Sequence, residues 1–116
     1  MIEFFDREGR AVAFCDDGRS LFLWDGRPAA FIHDDGVFAY SGAFIGWFAD
    51  GWICDAGGDR LLFEFDAVGG PAKPERGPRA TKGQRGAKPV RGARQPAPAQ
   101  PMLSSAWSRA SFAGLM

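Results

Sequence analysis

Side chains that commonly carry out acid–base or metal chemistry are sparse in this chain of 116 residues. The one histidine, His33, is followed directly by Asp34 and Asp35. A hydrolytic role for His33 would require a nucleophile and an orienting partner, and the sequence indicates neither. The aspartate pairs do not have the spacing of an EF-hand loop, and turns explain them better. We therefore predict a protein that is not an enzyme, with no catalytic residue, no metal site and no cofactor.

Two cysteines, Cys15 and Cys54, are too few to form a disulfide scaffold. Neither lies in a CxxC motif or beside a histidine, so neither is expected to bind a metal ion. We expect two buried or half-buried thiols in a reducing cytosol, and the sequence alone leaves their oxidation state open.

Acidic and basic residues occupy different parts of the chain, although its formal net charge is zero. Residues 1–70 carry 13 acidic and five basic side chains, a net charge of −8. Residues 71–101 carry eight basic side chains and one acidic side chain, a net charge of +7. The eight bases recur about every three residues and form a candidate anion-binding segment: Lys73, Arg76, Arg79, Lys82, Arg85, Lys88, Arg91 and Arg94.

Three interpretations of this basic segment stay open. It would bind nucleic acid through phosphate contacts, or anionic lipid at about 1 kcal/mol per basic residue near the surface. Alternatively, it is a solvated linker attracted to the acidic part of its own chain. Residues 69–101 contain no aromatic residue, which counts against a specific single-strand binder that stacks bases.

The element that must position these residues is a repeat. Glycines at 9, 26, 42 and 58 are spaced 17, 16 and 16 residues apart, and each opens a similar segment. The third residue after each glycine is aliphatic or alanine: Val12, Ala29, Ile45 and Leu61. The fifth is aromatic: Phe14, Phe31, Trp47 and Phe63. An apolar segment and a turn precede each glycine, so each repeat is predicted to be a β-hairpin.

The alternation of side chains along a strand places the third and fifth residues on one face. We expect that apolar face to meet the core. The fourth residue is then expected to point the other way, and in three of the four copies it is alanine or glycine: Ala13, Ala30, Gly46 and Leu62.

The repeats predict an all-β fold in which four tandem β-hairpins form a small, shallow, closed or nearly closed barrel with pseudo-fourfold symmetry. Closure would remove exposed strand edges. The run from Tyr40 to Asp55 is the most specific part of a pattern that resembles the bacterial four-fold β-flower family over residues 2–65. The resemblance implies this fold and a proline-rich tail ending in tryptophan and phenylalanine, but no activity. Cys54 departs from the pattern, since the other copies have an aromatic residue there.

We assign residues 1–68 to the β-flower-like domain. Residues 69–101 are rich in proline, glycine and alanine, which predicts a disordered basic linker because little apolar surface is available to offset ordering entropy. Residues 102–116 regain apolar character. We expect this C-terminal segment to dock on the barrel as a strand or helix, and docking on a partner or a membrane is the alternative.

Six aromatic residues are candidate contacts to a ligand or partner: Trp24, Tyr40, Trp47, Trp52, Trp107 and Phe112. Rings such as Trp24, Tyr40 and Trp52 would converge at the mouth of the predicted barrel and create a site for a small ligand.

The function predicted from these features is a non-catalytic binding or interaction module. Its partner is an unknown protein or an anionic lipid surface at the cytoplasmic face of the membrane, reached through the basic tail and the aromatic terminus. The alternatives are a small-ligand binder at the barrel mouth and nucleic-acid association through the tail. The start of the chain lacks the features of a signal peptide, and no segment reaches the roughly 18 apolar residues of a membrane span. A cytoplasmic location without a transmembrane segment is therefore expected.

Overall fold

In the computed structural model, which describes residues 1–115, eight strands follow one another along the chain. Their bounds are β1 Ile2–Phe5, β2 Ala11–Cys15, β3 Ser20–Leu23, β4 Pro28–His33, β5 Gly36–Ala39, β6 Phe44–Ala49, β7 Trp52–Asp55 and β8 Arg60–Phe63. Each strand pairs antiparallel with the next, and β8 returns to β1 through the pair Phe5 and Phe63. The predicted all-β closed barrel of four hairpins is confirmed. Among residues 1–115, no helix has the length and apolarity needed to cross a bilayer.

The hairpin turns end at the repeated glycines because the backbone there is left-handed. Gly26 has a φ of 95° and Gly42 a φ of 99°, values that side-chain-bearing residues rarely adopt. The amide of each glycine donates to a carbonyl three residues earlier, which closes the turn. The spacing of the glycines therefore sets the spacing of the hairpins.

A β-bulge in every hairpin overturns the predicted facing of the second strand. Phe4 pairs with Ala13 and Phe5 pairs with Ala11, so Val12 is an extra residue. The same shift occurs at Ala29, Ile45 and Leu61. A bulge interrupts the alternation of side chains. The third residue and the fourth therefore both face the interior, and the fifth, the aromatic one, faces outward. The expectation that the third and fifth residues share the core face is wrong.

The barrel interior is filled by an apolar cluster with members from all eight strands. Where the strands pair, large and small residues face each other, as in Phe4 with Ala13 and Leu21 with Ala30. Small residues at the fourth position are therefore explained by a narrow interior. Ala13 and Ala30 have no exposed surface.

The outer wall carries a ring of aromatic side chains where neighbouring hairpins meet. We call these four places seams: β2–β3, β4–β5, β6–β7 and β8–β1. The ring centroids of Phe14 and Phe22 lie 5.5 Å apart at the β2–β3 seam, and those of Phe31 and Phe38 lie 5.7 Å apart at the β4–β5 seam. Cys54 takes the place of an aromatic residue opposite Trp47 at the β6–β7 seam.

Residues 69–104, here called the strap, run in an extended course around the barrel past all four hairpin turns. The structure does not show the disorder that the sequence predicts for residues 69–101. Backbone amides spaced nine residues apart donate to the carbonyls of the four turn glycines, at 2.9, 2.8, 2.9 and 3.1 Å. The pairs are Gly77 with Gly9, Gly86 with Gly26, Gln95 with Gly42, and Ser104 with Gly58.

The nine-residue period agrees with the size of the molecule, which measures 36 × 35 × 22 Å. A quarter of the perimeter of a disc 36 Å across is about 28 Å. Nine residues of extended chain at about 3.1 Å each cover the same length. One strap period therefore spans one hairpin.

The C-terminal segment docks on the barrel after the strap ends. Trp107 forms a parallel bridge with Arg60, and the Ser108 hydroxyl donates to the Asp55 carboxylate at 2.7 Å. Phe112 is 3% exposed and belongs to the interior cluster, so its ring helps to close the barrel. A short 3₁₀ helix, Ala113–Leu115, follows.

Candidate binding site

The eight strap bases lie on the outer wall of the barrel. They are spaced three residues apart, which is one turn of an extended polyproline-type chain, so successive bases point the same way. Four of them lie over rings of the wall, at 5.5, 5.7, 4.2 and 5.8 Å from the ring centroids. These are Arg76 over Phe5, Lys82 over Phe14, Arg91 over Phe31 and Arg94 over Phe38.

Strap bases, Lys82 among them, also form ion pairs with acids of the barrel, and two of these acids have shifted pKa values. Arg79 and Lys82 both pair with Glu3. Desolvation acts to raise the pKa of Glu3, but these two hydrogen bonds hold it below its usual value. Burial likewise acts to raise the pKa of Asp17, but hydrogen bonds from the Ser20 and Arg19 backbone amides and the Ser20 hydroxyl lower it to about 2.

The β2–β3 seam shows how a complete quarter of the strap is built. Arg85 pairs with Asp16. The Nζ of Lys88 lies 3.8 Å from Asp17 Oδ2 and 3.5 Å from Ser20 Oγ. Two barrel acids at this seam therefore face two strap bases.

The β4–β5 seam departs from this arrangement. Nine residues beyond Arg85 the strap has Arg94, which lies over Phe38, but nine residues beyond Lys88 it has Ala97. A cavity of about 420 Å³ lies where the missing base would be. The corresponding cavities measure about 250 Å³ at the β2–β3 seam, beside Lys88, and about 530 Å³ at the β8–β1 seam, beside Arg79. The β4–β5 cavity therefore differs from both in having no strap base at the third position.

The wall of the β4–β5 cavity combines charge with aromatic surface. Asp34 and Asp35 form its acidic side, with the Asp34 side chain 91% exposed. The rings of Phe38 and Trp47 also line it. Trp47 is 5% exposed, and its Nε1 finds no hydrogen-bond partner among residues 1–115. The cavity therefore offers carboxylates and an apolar wall.

His33 lies at the rim of the same cavity, which the sequence did not predict. Its Nε2 is 3.6 Å from Asp34 Oδ2, and half of its side chain is exposed. No group of three or more potential metal ligands occurs in residues 1–115. His33 and Asp34 therefore lie side by side at this cavity.

The aromatic residues predicted to converge at a barrel mouth lie on separate parts of the outer wall. Trp24 packs edge-on against Phe14 and donates to the Ala80 carbonyl at 2.8 Å. Tyr40 contacts Phe31. Trp52 has no exposed surface and donates to the Val68 carbonyl at 3.1 Å. The structure brings none of these three rings together.

The other predicted contact residues are used inside the molecule. Trp107 packs against Trp52 with ring centroids 5.5 Å apart, and Phe112 lies in the barrel interior. Trp47 is the predicted contact residue that lines the β4–β5 cavity.

Both cysteines are free and buried. Burial raises the pKa of Cys15, and it raises the pKa of Cys54 to about 11. Both thiols are therefore protonated at neutral pH, which keeps them poor nucleophiles.

The nine-residue period of the strap is the signal that sequence reasoning missed. Basic-glycine pairs begin at 76, 82, 85 and 91, so that Gly77 and Gly86, and likewise Gly83 and Gly92, lie nine residues apart. A comparison of this period with the four-hairpin repeat would have predicted a strap, and Ala97 would have stood out as a missing base.

A comparison with family models finds that the model described as 4-fold beta flower protein matches residues 2–116, which include the strap and the C-terminal segment. No match was found among curated proteins or among solved structures.

Proposed function

The chain belongs to the 4-fold beta flower family, and we propose that it is a non-catalytic binding module that contacts its partner at the β4–β5 cavity. The observation that carries the proposal is the difference between two equivalent seams. At the β2–β3 seam the strap places Lys88 beside Asp17 and Ser20, whereas the equivalent strap residue at the β4–β5 seam is Ala97, beside the larger cavity.

The cavity has the properties of a recognition site. Its volume of about 420 Å³ lies within the range of ligand pockets, which is roughly 300–1,000 Å³. Its aromatic rings provide apolar contact area. Its carboxylates, guanidinium and imidazole provide the polar groups that orient a ligand. The strap wall of the cavity is held by Gln95, whose amide donates to Gly42 and whose side-chain oxygen accepts from the Phe44 amide, both at 2.9 Å.

The test is an amide-resolved NMR titration of the intact protein with a panel of blocked amino acids: lysine, arginine, glutamate, leucine and phenylalanine. We expect at least one member to shift the amides of Gly36, Phe38 and Ala97 in a saturable manner. Amides at Phe22 and Gly86, in the filled β2–β3 seam, are the internal control. If no member of the panel shifts the β4–β5 amides, the proposal fails.

Contact with an anionic lipid surface is a second candidate, supported by a different patch. Met1 and Phe65 are 71 and 64% exposed, and both line one surface depression together with Arg76. Arg76 lies 4.4 Å from the Phe65 ring centroid, and Lys73 donates to the Phe65 carbonyl at 3.1 Å. Exposed apolar side chains beside bases suit the cytoplasmic leaflet. The aromatic terminus takes no part in this version, because its rings pack on the barrel.

Co-sedimentation with vesicles that contain or lack phosphatidylserine tests the lipid candidate. We expect binding only to the anionic vesicles, reduced by Arg76→Gln and unchanged by Arg27→Gln, which removes an exposed base at a distant turn. Equal sedimentation with both vesicle types would contradict it. Nucleic-acid association stays a prediction. The contacts of the strap bases with rings and carboxylates of the barrel count against it, because these bases are less available to phosphates.

A further inference from the structure

We infer that the β4–β5 cavity binds a cationic group, ammonium or guanidinium, carried on an unbranched alkyl chain. This inference rests on the proposed function and names the chemistry of the ligand. The group would come from a lysine or arginine side chain of a partner protein or from a free alkylamine.

The molecule contains its own template for this ligand. Position 88 of the strap is a lysine that reaches Asp17 and Ser20, and position 79 is an arginine that pairs with Glu3. Position 97, the next in the nine-residue series, is alanine.

On the barrel side of the cavity, a side chain that is present at two other seams is also missing. Glu3 at the β8–β1 seam and Ser20 at the β2–β3 seam, which accept strap bases, each stand six residues before a turn glycine. The equivalent residue at the β4–β5 seam is Gly36. Both walls therefore lack the side chains that meet at the β2–β3 seam, where Lys88 Nζ lies 3.5 Å from Ser20 Oγ.

The numbers of charged side chains at the β2–β3 and β4–β5 seams also favour a cationic ligand. At the β2–β3 seam two carboxylates face two bases, Arg85 and Lys88. At the β4–β5 seam Asp34 and Asp35 line the cavity with one strap base, Arg94, and with His33, whose Nε2 lies 3.6 Å from Asp34 Oδ2. The β4–β5 seam therefore has one strap base fewer, and a monovalent cationic group would take its place.

The aromatic wall explains why the cation should carry an alkyl chain. Lys88 and Arg79 reach their carboxylates along the outer wall, and Phe38 and Trp47 offer the same kind of surface. A methylene chain packs on such rings while its charged end stays at the carboxylates.

Calorimetric titration of the full-length protein tests the inference with four probes. These are Nα-acetyl-lysine methylamide, Nα-acetyl-arginine methylamide, n-butylamine and the uncharged Nα-acetyl-norleucine methylamide. We expect dissociation constants on the order of millimolar for the blocked basic residues, the range expected of a single surface contact. n-Butylamine is expected to bind because it carries the same alkylammonium group, and the uncharged norleucine probe is expected not to bind. Equal binding of the lysine and norleucine probes would overturn the inference.

Two kinds of variant locate the site. Ala97→Lys supplies the missing base within the chain and is expected to abolish binding. Asp34→Asn together with Asp35→Asn is expected to weaken binding about tenfold. This double variant is the independent test of the site if Ala97→Lys perturbs folding. Lys88→Ala, in contrast, opens the β2–β3 seam and is expected to raise the stoichiometry from one to two. Unchanged binding in Ala97→Lys or in the double asparagine variant, or a stoichiometry that stays at one in Lys88→Ala, would contradict the inference.

The two proposals fail in different ways. If the blocked glutamate or leucine of the NMR panel binds at the cavity and the basic probes do not, the cation inference is wrong and the binding module survives. If no probe binds at the cavity, both are wrong.

Discussion

Replacement of Gly9 by alanine tests whether the strap lies against the hairpin turns. The φ of Gly9 is +79°, and a Cβ added there would lie 2.1 Å from the Glu75 carbonyl oxygen of the strap. Gly18 is a matched control. Its φ is +78°, and an added Cβ would meet nothing within 4 Å.

The expected loss of stability differs between the two variants by a calculable amount. Alanine at this φ costs about 1 kcal/mol in either position. In Gly9→Ala the strap must also move away, which breaks the bond from the Gly77 amide to the Gly9 carbonyl at 2.9 Å, about 1 kcal/mol. Displacement of Arg76 from the Phe5 ring adds about 0.5–1 kcal/mol. We therefore expect about 3 kcal/mol for Gly9→Ala against about 1 kcal/mol for Gly18→Ala.

Urea unfolding gives the two stability changes, and hydrogen exchange reports the strap directly. The Gly77 amide is expected to exchange faster in Gly9→Ala than in wild type or Gly18→Ala. The reasoning would be refuted if both variants lost the same stability and the Gly77 amide kept its protection.

Three further predictions concern the interior, the thiols and acid stability. Phe112→Ala is expected to lower the free energy of unfolding by about 3–5 kcal/mol because it empties part of the interior. Leu115→Ala, at a side chain that is 37% exposed, should change the free energy of unfolding little. Similar losses in the two variants would contradict the placement of Phe112 in the interior. Neither Cys15 nor Cys54 is expected to react with a disulfide reagent in slightly alkaline buffer until guanidinium unfolds the chain, and rapid labelling of the folded protein would show that they are accessible. The lowered pKa of Asp17 means that its contribution is present above the ordinary value of 3.8 and is lost as the pH falls towards about 2. Wild type should therefore lose stability over that range relative to Asp17→Asn in a pH series of urea unfolding curves.

The barrel could be predicted because its information is local and repeated. The turn glycines and the apolar segments around them recur in register, and closure follows from the need to cover strand edges. The direction of the aromatic residues could not be predicted, because strict alternation was assumed through Val12 and its equivalents. One extra residue per hairpin turns Phe14 outward and Ala13 inward, and composition does not reveal which residue a strand will bulge at.

The strap was interpreted as disordered because its own composition offers little apolar surface. That criterion considers what a segment can bury within itself. The interactions that hold the strap come from the barrel instead: carbonyls of turn glycines, outward-facing rings and acids such as Glu3 and Asp16. The match of the family model through residue 116 agrees with a strap that belongs to the folded unit.

The position of the missing base within the strap bears on how well the β4–β5 cavity can bind. Gly92 donates to the Tyr40 carbonyl at 2.7 Å and Gln95 to Gly42, so the strap is fastened twice just before Ala97. The residues at the position of Gly92 in the first and last strap periods are Pro74 and Pro101, which have no amide to donate. The cavity therefore lies beside a part of the strap with more backbone anchors than its ends. A ligand that enters the cavity therefore does not have to order the strap. The free energy of binding is then not reduced by the entropy cost of ordering it. For the inferred basic side chain, a gap in a fixed wall would be a more selective receptor than the same acids on a mobile loop.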